Sequence, residues 1–267
     1  MSWLWQVYTL DLRRIFSYRI DFWMGFFVQL VGVGGTAYYL WSSIFADSHA
    51  TELGGFTLPS IVLYYLLVPV IDRLTNGNGR GGVSNDIYDG SLTRYLVYPV
   101  PFYLYKYVSR LAFTTLTILQ YAMVLGAFAF FAPKMSDAPI SWNSSLLALA
   151  FTIVAGSVFF SFQFFIEMAA FWADNVWSLL VMLRFCVAFL GGATIPLSFL
   201  PDRFTRLLNL TPFPAFASLP IRLALGRAGL AEATHGLWVL AFWQAGLGLL
   251  CWIVWKRGTR QYTGVGI

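Results

Sequence analysis

Residues 21–45 read DFWMGFFVQLVGVGGTAYYLWSSIF, and after Asp21 they contain no charged side chain. About 20 consecutive apolar residues suffice for a helix to cross the roughly 30 Å hydrocarbon core of a bilayer. The stretch is one apolar block rather than an amphipathic stripe, so lipid is its natural solvent. The whole chain agrees. Of 267 residues, 58% are hydrophobic, 19% aromatic and only 11% charged, whereas soluble domains carry about a quarter charged. Mean hydropathy is +0.68.

Working outward, five further segments qualify as spans: Leu58 to Leu74, Phe102 to Phe131, Leu146 to Trp172, Val176 to Phe199 and Leu237 to Trp255. No internal repeat and no domain-separating linker is visible, so residues 1–267 read as a single transmembrane domain. The fold class expected is an all-α integral membrane protein of six transmembrane helices. Ahead of the first span, Leu4, Tyr8, Leu12 and Ile15 line one side of a helix, and Ser2, Gln6, Thr9, Arg13 and Ser17 the other. That separation predicts an interfacial helix over residues 1–20; the alternative is a plain extension of the first span. The N-terminus lacks a basic region before its apolar residues and a small-residue cleavage site, so no removable signal peptide is expected.

The net charge of +5 marks loop placement in a membrane protein rather than a nucleic-acid site. Arg13, Arg14 and Arg19 precede the first span, Arg80, Arg94, Lys106 and Arg110 lie in or beside the second-to-third connection, and Lys256, Arg257 and Arg260 follow the last span. These predict cytoplasmic termini, with Ser48 to Phe56 and Pro133 to Trp142 facing outward. One connection runs against the rule, with Arg203, Arg206, Arg222 and Arg227 facing only Asp202 and Glu232. It is too apolar for a solvent loop, and Pro196, Pro201, Pro212, Pro214 and Pro220 break it into short pieces. Residues 196–234 therefore predict a segment that dips into the outer leaflet and returns, its backbone covered by neighbouring helices. Arg203 and Arg206 would snorkel toward head groups.

Several patterns invite a chemical reading. Gly77 to Ser84, GNGRGGVS, fits both the dinucleotide glycine pattern and the phosphate loop, except that Val83 stands in the lysine position. A phosphate cradle needs a strand before it and converging amides at a helix N-terminus; here a span precedes, and the glycines read as a flexible break. In the following SNDIYDGSLTRYLVYPVP, Ser84 or Asn85 can cap a short helix that Gly90 ends, and Ser91 can cap a second that stops before Pro99. Asp86 and Asp89, three apart, could share one Mg²⁺ as in metal-assisted prenyl transfer, but no second acidic cluster joins them. No metal site is expected. Glu167 and Arg184 are intramembrane charges, expected to pair across the turn at Asp174 and Asn175, either to fix packing or to serve transport. His49 and His235 read as interface residues, and Cys186 and Cys251 as small core residues. No nucleophile elbow or zinc-protease motif appears, so catalysis by this chain alone is not expected.

The order of features resembles the permease subunits of type-2 ABC exporters. The resemblance is carried by YRIDF entering the first span, GFTLPSIVLYYL opening the second, DIYDGSLTRYLVYPVP after it, and GGATIPLSFLP followed by LTPFPAFASLPIRLALG before the last span. It implies a permease of the bacterial inner membrane that pairs with a second permease, identical or related, and with two cytoplasmic ATPase subunits, which would hold the ATP and Mg²⁺; no cofactor is implied in this chain. It makes the connection over residues 76–100 a coupling helix, with Asp86, Ile87, Tyr88, Asp89, Gly90, Ser91, Leu92 and Arg94 as ATPase contacts, and lays the N-terminal helix against the ATPase. It also nominates Tyr64, Tyr65, Val68, Leu180, Leu183 and Phe185 for the substrate path, carrying a hydrophobic or amphipathic cargo. The glycine run departs from the more compact pattern of that family. Two readings compete: a membrane-embedded Mg-dependent lipid or prenyl transferase using Asp86 and Asp89, and an ion-gradient-driven secondary transporter using Glu167 and Arg184.

Overall fold

The computed structural model describes residues 2–77, 82–131 and 141–263. Most of Pro133 to Trp142, together with Asn78, Gly79, Arg80 and Gly81 of the glycine run, lies outside the described residues. Twelve α-helices follow in order: α1 Ser2–Ser17, α2 Arg19–Ser48, α3 Leu58–Asn76, α4 Val83–Tyr88, α5 Leu92–Val97, α6 Phe102–Phe131, α7 Trp142–Glu167, α8 Trp177–Leu190, α9 Asp202–Leu208, α10 Phe213–Phe216, α11 Ser218–Ala224 and α12 Leu230–Gln261. Among the described residues the only β feature is an isolated bridge between Leu53 and Phe56.

Among the described residues five helices are long and apolar enough to cross a membrane: α2, α3, the Phe102–Ala127 part of α6, α7 with its 3₁₀ extension to Phe171, and α12. The expected sixth span is corrected. From Trp177 the helix stops at Leu190, and its 14 residues cover only about 21 Å at 1.5 Å per residue. Gly191 and Gly192 end it; Gly192 has φ +83, a left-handed conformation that glycine adopts without strain. An N-terminal helix separate from the first span is what forms, since the backbone breaks at Tyr18 (φ −105, ψ 33). Leu4, Tyr8, Leu12 and Ile15 are half-buried and Gln6, Arg13 and Ser17 exposed, and Tyr8 donates to Thr115 Oγ1 of α6 at 2.9 Å.

The main core draws on α2, α3, α6, α7, α8, α10, α11 and α12. The α3 helix is its centre: it starts where Thr57 donates its amide to Ser60 Oγ (2.9 Å) with proline in the first turn, and Ile61, Leu67, Val70, Ile71 and Leu74 are wholly buried. On the turn after α8, Tyr64 donates to Gly192 O at 2.6 Å and Tyr65 to Thr194 O at 2.9 Å.

The proline-rich segment runs beside α3 for most of that helix's length. Arg227, just after α11, donates to Gly55 O (2.8 Å) and Ser60 Oγ (2.9 Å) at the start of α3, while Thr75 near its end donates to Phe216 O at 3.2 Å. Ser60 and Thr75 stand about 22 Å apart along a helix, most of the hydrocarbon thickness. Its backbone is covered as expected: α11 is packed on α7 and α3, with Ile221, Leu223 and Ala224 fully buried. Two of the four arginines that oppose the charge rule are also accounted for, because Arg222 pairs with Glu232 (2.7 Å) and Arg227 covers the Phe56 ring at 4.1 Å. Burial holds the Arg227 guanidinium below its usual pKa. Arg203 and Arg206 are exposed.

Arg227 is therefore the latch on the 53–57 loop. Arg227→Ala is expected to raise hydrogen exchange of those amides by tenfold or more, a loss of about 1.5–3 kcal/mol for hydrogen bonds from a charged donor. Exchange mass spectrometry of both proteins checks it, with Arg227→Lys expected to fall between them.

Candidate functional site

The α3 helix ends in a left-handed glycine, Gly77 (φ +69), whose amide closes on Arg73 O at 3.0 Å. Its last carbonyls are taken by a cation from another helix. Arg110 of α6 donates Nη2 to Leu74 O (3.1 Å) and Thr75 O (2.5 Å). Positive charge at a helix C-terminus is favoured both by the carbonyls left unpaired there and by the helix dipole. Gly156 of α7 makes room, because a Cβ there would lie 2.6 Å from Arg110 Nη2 and 3.0 Å from Leu74 O. One turn back, the Arg73 guanidinium lies over the rings of Phe22 (5.1 Å), Phe113 (5.4 Å) and Phe26 (5.9 Å) and donates to Phe22 O at 3.3 Å. Three aromatic faces and a carbonyl stabilise a cation that would otherwise be costly there.

Across the glycine run the next helix begins with the opposite charge. Glu167, 2% exposed, accepts the Ser84 amide on Oε2 (3.3 Å) and Gln163 Nε2 on Oε1 (2.6 Å), and the Val83 amide also faces it. The carboxylate of α7 thus caps α4 from outside, where first-turn amides converge and the dipole favours an anion. A Cβ on Gly82 would meet Glu167 Oε2 at 2.5 Å, so a larger residue there would displace the carboxylate. The expected Glu167–Arg184 pair does not form: Glu167 is occupied by α4, and Arg184, exposed on α8, acts electrostatically on Asp72 of α3. This carboxylate occupies the first amides of α4, while Asn78 to Gly81 of GNGRGGVS lie outside the described residues.

Beyond the cap, α4 and α5 form a corner seated on the protein. Val83, Ile87 and Leu92 are buried with Phe164, Met168, Ala170 and Val176 in a second apolar cluster. Gly90, at φ +77, turns the corner. Tyr88 donates to Ala173 O at 3.0 Å, and burial pushes its phenol up. Asp86 pairs with Lys106 of α6 and accepts Ser91 Oγ at 3.1 Å. The Ser91 side chain and its amide (2.9 Å to Asp89 Oδ1) hold the exposed Asp89 carboxyl below its usual range, so Asp89 is charged throughout the neutral range. Ser91 thus bridges the two carboxylates, with Asp86 neutralised by Lys106 and Asp89 held by the Ser91 amide.

Of the eight nominated contact residues, Asp89 and Arg94 are exposed and Asp86, Tyr88, Gly90 and Ser91 half-exposed. The side chains of Ile87 (2%) and Leu92 (0%) are buried in seating the corner. Sequence reasoning missed the exposed apolar end of α5, where Leu96, Val97 and Tyr98 are 45%, 78% and 50% accessible. In the nominated path, Tyr64 and Leu183 are likewise buried in the core and cannot line an opening in this conformation. Val68 and Leu180 are half-buried, Tyr65 holds the Thr194 carbonyl, and Phe185 is 71% exposed.

Five apolar helices of spanning length, short helices buried between them and a charge-capped corner at one end define a multi-pass integral membrane protein. More particularly, residues 31–266 match the family described as ABC-2 family transporter protein, and the chain belongs to that family as a membrane component of an ABC transporter. Comparison with curated proteins and with solved structures returns no match.

Removing the outside cap tests the corner. Glu167→Ala is expected to destabilise α4 by about 1–3 kcal/mol, the cost of orphaned buried donors, with hydrogen exchange rising at residues 83–88 and unchanged at 61–71. Glu167→Gln, which keeps an acceptor but no charge, is expected to lie between.

Proposed function

We propose that this chain is the permease subunit of an ATP-driven exporter, forming half of a translocation path with a second permease and coupled to two cytoplasmic ATPase subunits. The observation that carries the reading is the corner itself. Asp89, Arg94, Leu96, Val97 and Tyr98 form an exposed, mixed apolar and charged surface that this chain leaves uncovered, beneath which Ile87 and Leu92 anchor it to α7 and the following 3₁₀ turn. A surface of that composition suits a protein partner. On this reading α4 and α5 are the coupling element, the termini and residues 76–100 are cytoplasmic in a bacterial inner membrane, α1 lies along the same face, α8 serves as a short sixth membrane element, and ATP and Mg²⁺ belong to the partner.

The two caps give the coupling a physical route. ATP-driven closure of the ATPase pair pushes the corner, and the Glu167 contact passes the displacement to α7 while Arg110 keeps the end of α3 in register with α6 and α7. From Thr75 the column of α10 and α11 extends alongside α3 to the latch at Arg227, linking the corner to the outer loop in one packed body. Rigid-body motion of packed helices needs such a continuous contact. The cargo that suits these apolar, aromatic spans is hydrophobic or amphipathic.

The competing transferase needs Asp86 and Asp89 to act together, and their engagement with Lys106 and Ser91 favours the coupling role. The gradient-driven alternative needs a mobile charge at Glu167, which is spent on holding α4.

Co-purification with the cognate ATPase tests the proposal. Asp89→Lys combined with Val97→Asp is expected to weaken association about tenfold or more, the loss of two interface anchors at 1–2 kcal/mol each, and to abolish permease-stimulated ATP hydrolysis, with melting of the permease alone unchanged. Unaltered association and stimulation would sink the assignment of this surface.

A further inference from the structure

The elbow between α1 and α2 combines an unpaired basic cluster with an apolar cleft. Arg13, Arg14 and Arg19 are exposed, and among the described residues none has an ion-pair partner. Asp11 and Asp21 are the acidic residues of the same elbow; Asp11 is half-buried on the side toward Tyr105 of α6 and Asp21 is exposed near Arg19, so the outer side carries three arginines against one carboxylate and is net positive. Beside the arginines, where α1 and α2 diverge against α6, lies a cleft of about 70 Å³ with Arg19 at its edge and walls of Phe16, Phe22, Trp23, Leu116 and Leu119.

The geometry has a direction. Phe22 and Phe113 meet edge to face at 5.5 Å and fix a common level on α2 and α6. Arg19 sits about one turn from Phe22 toward the end of the span, while Leu119 lies about 9 Å from Phe113 toward the bilayer centre. Positive charge thus stands at the membrane boundary and an apolar wall runs inward from it. A water-soluble anion would use the first and leave the second exposed; an acyl chain alone would use the second. A molecule with an anionic head and a hydrocarbon tail satisfies both, and basic residues flanking a span attract anionic lipid over neutral lipid.

We infer that the α1–α2 elbow is a binding site for an anionic phospholipid, with Arg13, Arg14 and Arg19 around the head-group phosphate and one acyl chain along Phe16, Trp23, Leu116 and Leu119. The site requires only that the chain be embedded in a membrane and does not depend on the exporter reading. Occupancy would brace α1 against α6 at the point where the chain enters its first span.

Native mass spectrometry of the full chain, released from neutral detergent after incubation with mixed micelles of equal dioleoyl phosphatidylglycerol and dioleoyl phosphatidylcholine, tests this. The wild type is expected to retain phosphatidylglycerol over phosphatidylcholine by about tenfold or more. The triple variant Arg13→Gln, Arg14→Gln, Arg19→Gln is expected to lose that preference, while Arg203→Gln with Arg206→Gln keeps it. Leu119→Trp, which fills the cleft and leaves every charge in place, is expected to reduce retention of phosphatidylglycerol several-fold, and decides the matter alone if the triple variant melts at a lower temperature. Full preference in both elbow variants, its loss in the Arg203 and Arg206 variant, or equal displacement of the lipid by soluble glycerol phosphate would overturn the proposal.

Discussion

Every buried backbone amide and carbonyl needs a partner, and the structure turns on how that demand is met at one interruption. The chain leaves α3 through a glycine run and re-enters helix at α4, which exposes the carbonyls of one helix end and the amides of the next within a few residues. Arg110 meets the first set and Glu167 the second. Both come from the α6–α7 pair, which is itself cross-tied by Tyr103 to Ser161 (2.8 Å) and Tyr107 to Ser157 (2.6 Å). The helix ends on either side of the glycine run are thus both fixed by side chains to the same pair of helices.

That arrangement explains why so much of the small-residue and charged content lies at a few positions. Gly82 and Gly156 are where α4 and the end of α3 come against Glu167 and Arg110, and a methyl group at either would collide with the cap. The same logic recurs at the opposite end of α3, where Arg227 holds the loop before it by two hydrogen bonds and a ring contact. The proline-broken column of α10 and α11 joins the two ends. Proline there frees backbone groups that would be intolerable against lipid, and burial against α3 and α7 supplies their partners: Phe216 O takes Thr75, and the Ser218 amide takes Gly191 O at 2.9 Å. Depth and irregularity are thus two sides of one solution.

Much of this was legible from residues alone. Apolar blocks placed α2, α3, α6 and α7 within about five residues and fell short of α12 by seven residues at its start and six at its end, the split between Leu4, Tyr8, Leu12 and Ile15 and their polar neighbours marked α1 as a separate helix, and Gly90 and Pro99 bounded the corner, although α4 starts at Val83 after Gly82 rather than from a cap at Ser84 or Asn85. What was not legible depends on side-chain reach in three dimensions. A span of ordinary apolar length from Val176 gave no sign that Gly191 would end it. Glu167 was recognised as a costly buried charge, but its partner is a helix end, which carries no letter in the sequence. Arg110 was read as a loop marker although it falls inside a predicted span, and that position was the available signal. Ile87 and Leu92 were nominated as contacts by the resemblance alone, and the period of four to five between Val83, Ile87 and Leu92 marks an inward face.

The central claim is that the corner and α7 move as one body. Spin labels at Asn85 and Trp172, both exposed, report the corner against the end of α7, and pulsed electron resonance of the assembled transporter gives their separation with and without trapped nucleotide. The account predicts one distance distribution in both states, and a second, displaced distribution in both when Glu167 is replaced by Ala. A nucleotide-dependent change of more than about 5 Å in the wild type, the scale of a one-turn helix shift, would contradict it.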